Sequence, residues 1–135
     1  MTTAELSTRL IQSFEGCKLT AYWDKTGKIW TIGFGHTKTA KAGMVITQLQ
    51  ADELFVQDCF QLLATVSDKP IFEAAALVSF GYNCGLSALH RLLAGEISLF
   101  SYGRTSGGVA LSGLAARRDL ESALIMASRE AGGLK

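Results

Sequence analysis

Residues 14–37 decide the fold, and they read FEGCKLTAYWDKTGKIWTIGFGHT. The residues before this stretch place apolar side chains at helical spacing, which predicts a helix over residues 3–15 that ends at Gly16. Behind Gly16, short runs of β-branched and aromatic residues alternate with turn residues. This pattern predicts three short antiparallel strands, at residues 21–23, 29–32 and 44–46.

The chain beyond residue 46 is predicted to be mainly helical. Thr47 and Gln50 have the spacing of a capping box. Ser67 or Asp68 is expected to cap the following helix, and Ser112 the last one. We expect helices over about 47–66, 68–82, 87–94 and 114–130, with a loop over 101–113 and a glycine stop at Gly132 and Gly133.

The length indicates a single domain over residues 1–135. The order of the predicted elements indicates an α+β class, with a β-lobe at about 16–46 and a helical lobe at about 47–135, with which we expect helix 3–15 to pack. With 13 basic and 12 acidic residues the net charge is +1, so no polybasic field indicates a nucleic-acid partner. The longest apolar run, residues 74–80, is far shorter than a membrane span, and the N-terminus lacks a signal-peptide pattern. We therefore expect a soluble chain that is made in the cytoplasm.

Three cysteines, Cys17, Cys59 and Cys84, lie far apart in sequence and form no C-x-x-C pair. We expect reduced thiols rather than a disulfide framework or a zinc knuckle. A cysteine peptidase or amidase is an alternative, with Cys17 or Cys84 as the nucleophile. Its base would be His36 or His90, and no motif around either cysteine favours it.

Two carboxylates of the opening stretch are candidates for acid–base chemistry. Glu15 lies at the C-terminal end of a helix, which disfavours negative charge and so suits a group that must hold a proton. Asp24 begins a turn further along, and the chain reversal between them can place the two carboxyls across a cleft, as in a glycosidase. Thr31, on the next strand, can hold a water molecule. Each carboxylate alone also fits a plain role, as a surface residue or a turn residue.

The same stretch matches a family pattern. Residues 14–37 resemble the E-G-x-x-L-x-A-Y-x-D…G…T-I-G-x-G-H-T block of the phage-type lysozymes, glycoside hydrolase family 24. Residues 76–85 resemble the family's A-L-V-S-F-x-x-N-x-G helix, and residues 107–121 its closing G-G-x-x-L-x-G-L-x-x-R-R-x-x-E segment. The resemblance covers nearly the whole chain and implies a lysozyme-like fold, in which a small antiparallel sheet lobe lies beside a mainly helical lobe.

The resemblance implies an endolysin that hydrolyses the β-1,4 bond between N-acetylmuramic acid and N-acetylglucosamine in peptidoglycan, with no cofactor and no metal. It implies that Glu15 is the general acid and that Asp24, with Thr31, positions the attacking water. Attack on the face opposite the leaving group gives inversion, whereas carboxyls about 5–5.5 Å apart favour retention. We further expect a monomer that binds glycan strands. It would reach the periplasmic wall through a hole that a holin makes in the host membrane.

Further residues are expected to support the site. The resemblance makes His36 a structural, hydrogen-bonded residue that braces the glycine turn, with a metal or base role as the alternative. It also suggests that Arg117 or Arg118 reaches back to Glu15, whereas a surface charge or an ion pair with a nearby carboxylate is the plain interpretation. The residues expected to contact the sugar chain are Trp30, Phe34 and Gly35, with core packing as the alternative for the two aromatic residues.

Two features depart from the family pattern. Six residues separate Asp24 from Thr31, where the family usually has five. A loop insertion leaves Thr31 facing Asp24, whereas an insertion in the strand turns it to the other face, and the ungapped match of residues 30–33 favours the loop. Residues 86–106 are also shorter than in most relatives. Both departures keep open a lysozyme-like binding or structural module without turnover.

Overall fold

The computed structural model describes residues 1–106 and 109–132. Within these ranges the elements in chain order are α1 (Thr3–Glu15), β1 (Lys18–Asp24), β2 (Ile29–Gly33), α2 (Gln48–Thr65), α3 (Ile71–Cys84), α4 (Leu86–Leu93), β3 (Thr105–Ser106), β4 (Val109–Ala110) and α5 (Ser112–Glu130). The fold class is α+β, as predicted, with a β-hairpin lobe beside a helical body. The helices begin and end within a few residues of their predicted positions.

Helix α1 has the bounds that the sequence predicts, because specific residues mark both of its ends. The Thr2 side chain accepts a hydrogen bond from the backbone N–H of Glu5, and the Glu5 carboxylate accepts one from the N–H of Thr2. At the other end Gly16 adopts φ +64°, and its N–H donates to the carbonyl of Gln12. Glu15 is thereby fixed as the last residue of the helix.

Strands β1 and β2 pair as an antiparallel hairpin where two of the strands are predicted. The predicted third strand is wrong, because residues 44–46 contribute one isolated bridge, from Thr20 to Val45, and two backbone hydrogen bonds to β1. The chain takes up the extended N-cap conformation at Thr47 directly afterwards, so no length remains for a strand.

Helix α3 is the centre of the helical body. Every residue from Ala74 to Gly81 is buried, and α1, α2, α4 and α5 all pack against this helix. A helix that is apolar on all sides is stable only when it is covered on all sides. Gly81 permits close packing there, since a Cβ at this position would lie 2.5 Å from Leu62 and 3.2 Å from Leu89.

Two predicted caps are wrong. Neither Ser67 nor Asp68 caps α3, which begins after Pro70 without a side-chain cap, because the chain is still in a turn at the two earlier residues. Helix α5 begins at Ser112 itself, so Leu111 occupies the N-cap position.

Part of the predicted loop 101–113 is a short antiparallel hairpin formed by β3 and β4. Gly107, Gly108 and Gly133, which the sequence interpretation also used, lie outside the described residues. In the part of the chain that the structure describes, no helix has the length and apolar character needed to cross a membrane.

Candidate active site

Glu15 has two carboxylate oxygens in different surroundings. Its Oε2 accepts a hydrogen bond from Arg117 Nη1 at 2.5 Å. Its Oε1 lies beside Gly35, where a Cβ would come within 2.8 Å of it. Gly35 also adopts φ +85°, a conformation that residues with side chains rarely adopt. One oxygen is thus held by a guanidinium, and the other faces an open glycine backbone.

Asp24 and Thr31 face the same side of the β1–β2 hairpin. Asp24 pairs with Ile29 and Tyr22 pairs with Thr31, and the register is the same at both pairs. Directly opposed residues share a face, and so do alternate residues of one strand, so Tyr22, Asp24 and Thr31 project together. The extra residue before Thr31 is therefore absorbed in the loop 25–28, as predicted.

Asp24 also holds the turn that follows it. Its Oδ1 accepts a hydrogen bond from the backbone N–H of Thr26 at 3.0 Å. Its Oδ2 lies beside Gly27, where a Cβ would approach it to 3.0 Å. The turn fixes the orientation of this carboxylate. Asp24 is therefore both a turn residue and a candidate catalytic residue.

A cavity of about 180 Å³ lies between the hairpin and the ends of α1 and α3. Its lining residues are Glu15, Tyr22, Asp24, Thr31, Gly35, Thr37, Tyr82 and Asn83. Two adjoining cavities, of about 620 and 440 Å³, share Asn83 with it and include Asp24 and Glu15 respectively. The three cavities thus adjoin at Asn83, and both carboxylates line the smallest of them.

Arg117, and not Arg118, reaches Glu15. The Arg117 guanidinium is held by Ser79, whose hydroxyl accepts from Nε at 3.2 Å and whose carbonyl accepts from Nη2 at 3.1 Å. Arg118 instead donates to both oxygens of Glu121, at 2.5 and 2.9 Å. Both arginines and Glu121 are buried, so these are paired internal charges and not surface charges.

His36 is a buried residue with both ring nitrogens engaged. Nδ1 lies 2.7 Å from Asp58 Oδ2, and Nε2 lies 2.7 Å from Thr39 Oγ1. The backbone of His36 pairs with Ile32 in both directions and closes the glycine turn 33–35. Within residues 1–106 and 109–132, no group of three or more histidine, cysteine, aspartate or glutamate residues is arranged to hold a metal ion.

Trp30 and Phe34 lie away from the cavity. Trp30 is on the opposite face of the hairpin, where its ring meets Trp23 edge-on with centroids 5.6 Å apart. Phe34 is buried in the core, edge-on to Phe55 at 5.5 Å. Of the three residues expected to contact the sugar chain, Gly35 alone lines the cavity, and the contacts expected of Trp30 and Phe34 stay predictions that this lining does not support.

The comparison with protein families identifies the family of this chain. The family model described as phage lysozyme matches residues 12–121. The chain belongs to the phage lysozyme family. The endolysin of Lactococcus phage c2 is 34% identical over 139 residues, which cover 90% of this chain and 58% of that protein. The endolysin of Acyrthosiphon pisum secondary endosymbiont phage 1 is 33% identical over 134 residues, which cover 85% of this chain and 91% of that protein. This phage lysozyme chain thus spans little more than half the length of the first of these relatives.

Solved structures agree with the family assignment. An endolysin from Escherichia coli O157:H7 phage FAHEc1 has a TM-score of 0.74 at 30% identity, over 95% of this chain and 95% of that chain. The active form of P1 phage endolysin Lyz has a TM-score of 0.75 at 22% identity, over 93% of this chain and 85% of that chain. The predicted lysozyme-like fold is confirmed.

The site of this phage lysozyme contains Tyr82 and Asn83, to which the sequence interpretation gave no role in the cavity. Tyr82 lines the cavity, and its hydroxyl donates to the carbonyl of Phe34. Burial raises the pKa of Tyr82, which keeps this hydroxyl protonated. Burial, followed by the charge of Asp24, raises the pKa of Tyr22, which the period-two alternation of β1 places on the face of Asp24. Asn83 lies within the family pattern, but that pattern does not indicate that the residue reaches the cleft.

Proposed function

We propose that the chain is a muramidase, which hydrolyses the β-1,4 bond between N-acetylmuramic acid and N-acetylglucosamine in bacterial peptidoglycan. The observation that carries this proposal is one cavity lined by Glu15 from α1 and by Asp24 and Thr31 from the hairpin. Two carboxylates that flank a cleft are the reacting groups of most glycosidases. Both relatives named above are endolysins, which supports the same conclusion.

In this mechanism Glu15 donates a proton to the glycosidic oxygen. Its Oε2 is held by Arg117, so Oε1, beside the open backbone of Gly35, is the oxygen that carries the proton. Asp24 and Thr31 hold the water that attacks the anomeric carbon from the other face. As the glycosidic bond breaks, its electron pair stays on the leaving oxygen, which takes the proton of Glu15, and the water loses a proton to Asp24. The product has inverted configuration.

The proposal extends to the setting of the reaction. Glycan strands are the partner, no cofactor takes part, and the enzyme acts as a monomer without stable insertion in a membrane. The near-neutral net charge of +1 gives no dominant positive field that would favour nucleic acid. The chain is made in the host cytoplasm and reaches the periplasmic wall through a membrane hole made by a holin.

The two alternatives receive less support. Burial raises the pKa of Cys84, one of the two candidate nucleophiles, whereas a nucleophilic thiol needs a lowered pKa. His36, one of the candidate bases, has both ring nitrogens hydrogen-bonded. The binding module has two motives, the extra residue before Thr31 and the short region 86–106. The register removes support from the first, because Thr31 shares a face with Asp24.

A turbidity assay on Gram-negative cells stripped of their outer membrane tests the proposal. We expect the wild-type chain to lyse the cells and Glu15→Gln to lose at least about 100-fold in rate, because it removes the general acid. Glu53→Gln, which removes an exposed carboxylate on α2, is the matched control and is expected to lyse normally. Lysis that survives Glu15→Gln but is abolished by iodoacetamide would overturn the proposal, and cell binding without lysis by the wild type would favour the binding module.

A further inference from the structure

A second carboxylate, Glu121, lies behind the candidate acid and is fully buried on α5. Arg118 donates to both of its oxygens. Ser79 of α3 donates its hydroxyl proton to Glu121 Oε2 at 2.5 Å, and Arg117 Nε lies 3.5 Å from the same oxygen. Removal of ionised groups from water is costly, and replacement by apolar residues is often neutral or stabilising. The presence of these buried charges beside the cleft is therefore poorly explained by stability alone.

Ser79 connects Glu121 to Arg117. A hydroxyl has one proton, and Ser79 gives it to Glu121, so a lone pair of the same oxygen is left to accept from Arg117 Nε at 3.2 Å. The carbonyl of Ser79 accepts from Nη2 at 3.1 Å. Two of the three guanidinium nitrogens are thereby fixed, and the third, Nη1, is directed at Glu15 Oε2.

We propose that Glu121 is a positioning residue for the general acid. Through Ser79 it orients Arg117 so that the guanidinium meets Oε2 of Glu15 and leaves Oε1 to hold and donate the proton. This inference rests on the proposed function, because it gives Glu121 a part in the delivery of that proton. Glu121 acts through the contacts just described and not on the substrate itself.

Glu121 also balances charge around the acid. Arg117 and Arg118 carry two positive charges and Glu121 carries one negative charge, so these three residues present a net charge of +1 behind Glu15. Among the described residues, Tyr22 and Asp24 of β1 line the cavity with Glu15, whereas Tyr82 and Cys84 of α3 lie near the arginines. Without the negative charge of Glu121, the two arginines favour the ionised form of Glu15 more strongly. The alkaline limb of the pH–activity profile, where a general acid has lost its proton, then moves to lower pH.

The test compares Glu121→Gln, Glu121→Asp and Asp119→Asn with the wild-type chain. For each protein, kcat and KM on soluble peptidoglycan glycan strands are measured as a function of pH, and thermal unfolding is recorded. Asp119→Asn is the matched control, because it removes the same charge from the same helix. The carboxylate of Asp119 is exposed and pairs with Arg104 at 2.8 Å, away from the acid.

We expect Glu121→Gln to lower kcat about tenfold while KM changes by less than about twofold, and to move the alkaline limb down by about one pH unit. Glu121→Asp keeps the charge, so the alkaline limb of its pH–activity profile is expected to stay at the wild-type position. Asp119→Asn is expected to match the wild type in kcat, KM and pH profile. A limb at the wild-type position in Glu121→Gln would overturn the inference even if this variant unfolds earlier, because lost stability alone does not move the limb.

The inference can also be tested if Glu121→Gln does not fold. If Glu121→Gln fails to fold, Ser79→Ala replaces it, because this change keeps all four charges and removes the hydroxyl between them. A lower kcat at unchanged KM would support the inference, and wild-type kinetics would overturn it. An inactive wild-type chain would overturn the proposed function and this inference together, whereas an active wild type with an unmoved limb in Glu121→Gln overturns the inference alone.

Discussion

Glu15 and Gly35 approach each other so closely that a Cβ at position 35 would lie 2.8 Å from Oε1 of the carboxylate. Arg117 holds the other oxygen of Glu15 at 2.5 Å. The proposed acid is therefore fixed between a guanidinium and a glycine backbone that lies on a different element of the fold. The glycine at this position is required by its φ of +85° as well as by the contact.

Gly35→Ala tests this relationship. The added methyl group displaces the carboxylate, so we expect a loss of about 100-fold in kcat, as for other small displacements of reacting groups. The positive φ is expected to cost about 1–3 kcal/mol of unfolding free energy. Gly43→Ala is the control, because Gly43 has φ +78° and a Cβ there would meet nothing within 4 Å. It is expected to lose similar stability and to keep its activity, and equal kcat values in the two folded variants would contradict the account.

The hydroxyl of Thr31 is testable with two conservative changes. Thr31→Val keeps the shape and removes the water-holding group, so we expect kcat to fall at least about tenfold, whereas Thr31→Ser is expected to retain most activity. Stability should change little, because the bond from this hydroxyl to the carbonyl of Ile29 is long, at 3.3 Å. Steady-state kinetics and thermal unfolding check both statements, and a Thr31→Val enzyme with wild-type kcat would remove Thr31 from the mechanism.

The pair of His36 and Asp58 is expected to support the fold and not the chemical step. Asp58→Asn weakens a buried charge-assisted contact of 2.7 Å, and we expect it to lower the unfolding free energy by about 1–3 kcal/mol. Asp52→Asn, an exposed change on the same helix, is expected to stay within about 0.5 kcal/mol of the wild type. Urea denaturation measures both, and equal stability of the two variants would show that the pair does not hold the glycine turn.

Two serines offer a stabilising change. The buried hydroxyls of Ser7 and Ser128 have no hydrogen-bond partner in the described part of the chain. An unsatisfied buried hydroxyl is costly, so Ser7→Ala and Ser128→Ala are each expected to raise the unfolding free energy by about 1 kcal/mol. Ser13→Ala, which removes an exposed hydroxyl bonded to the carbonyl of Leu10, is expected to have an effect below about 0.5 kcal/mol. A fall in stability in both buried variants would contradict the prediction.

The parts of the site that follow from local signals were predictable from the sequence. The end of α1 is marked by Gly16, so the position of Glu15 follows from the helical pattern. The shared face of Asp24 and Thr31 follows once the extra residue is assigned to the loop. The same alternation places Trp30, next to Thr31, on the opposite face, so the position of Trp30 away from the cavity was also predictable.

The parts that depend on packing between distant elements were not predictable. Arg117 and Arg118 are adjacent on a helix and point about 100° apart, so the choice between them depends on the rotation of α5 about its axis. The burial of Phe34 depends on its contact with α2, which no local pattern gives. Tyr82 and Asn83 reach the cleft because α3 ends beside the hairpin, which is again a consequence of tertiary packing.

The reducing ends released from peptidoglycan test the central claim most directly. Digests are reduced with borohydride and analysed by mass spectrometry, and the first product is followed by NMR. We predict N-acetylmuramic acid at the new reducing ends, formed first as the α anomer because the reaction inverts, and no such ends from Glu15→Gln. New N-acetylglucosamine reducing ends, or new free amino groups without new reducing ends, would contradict the account.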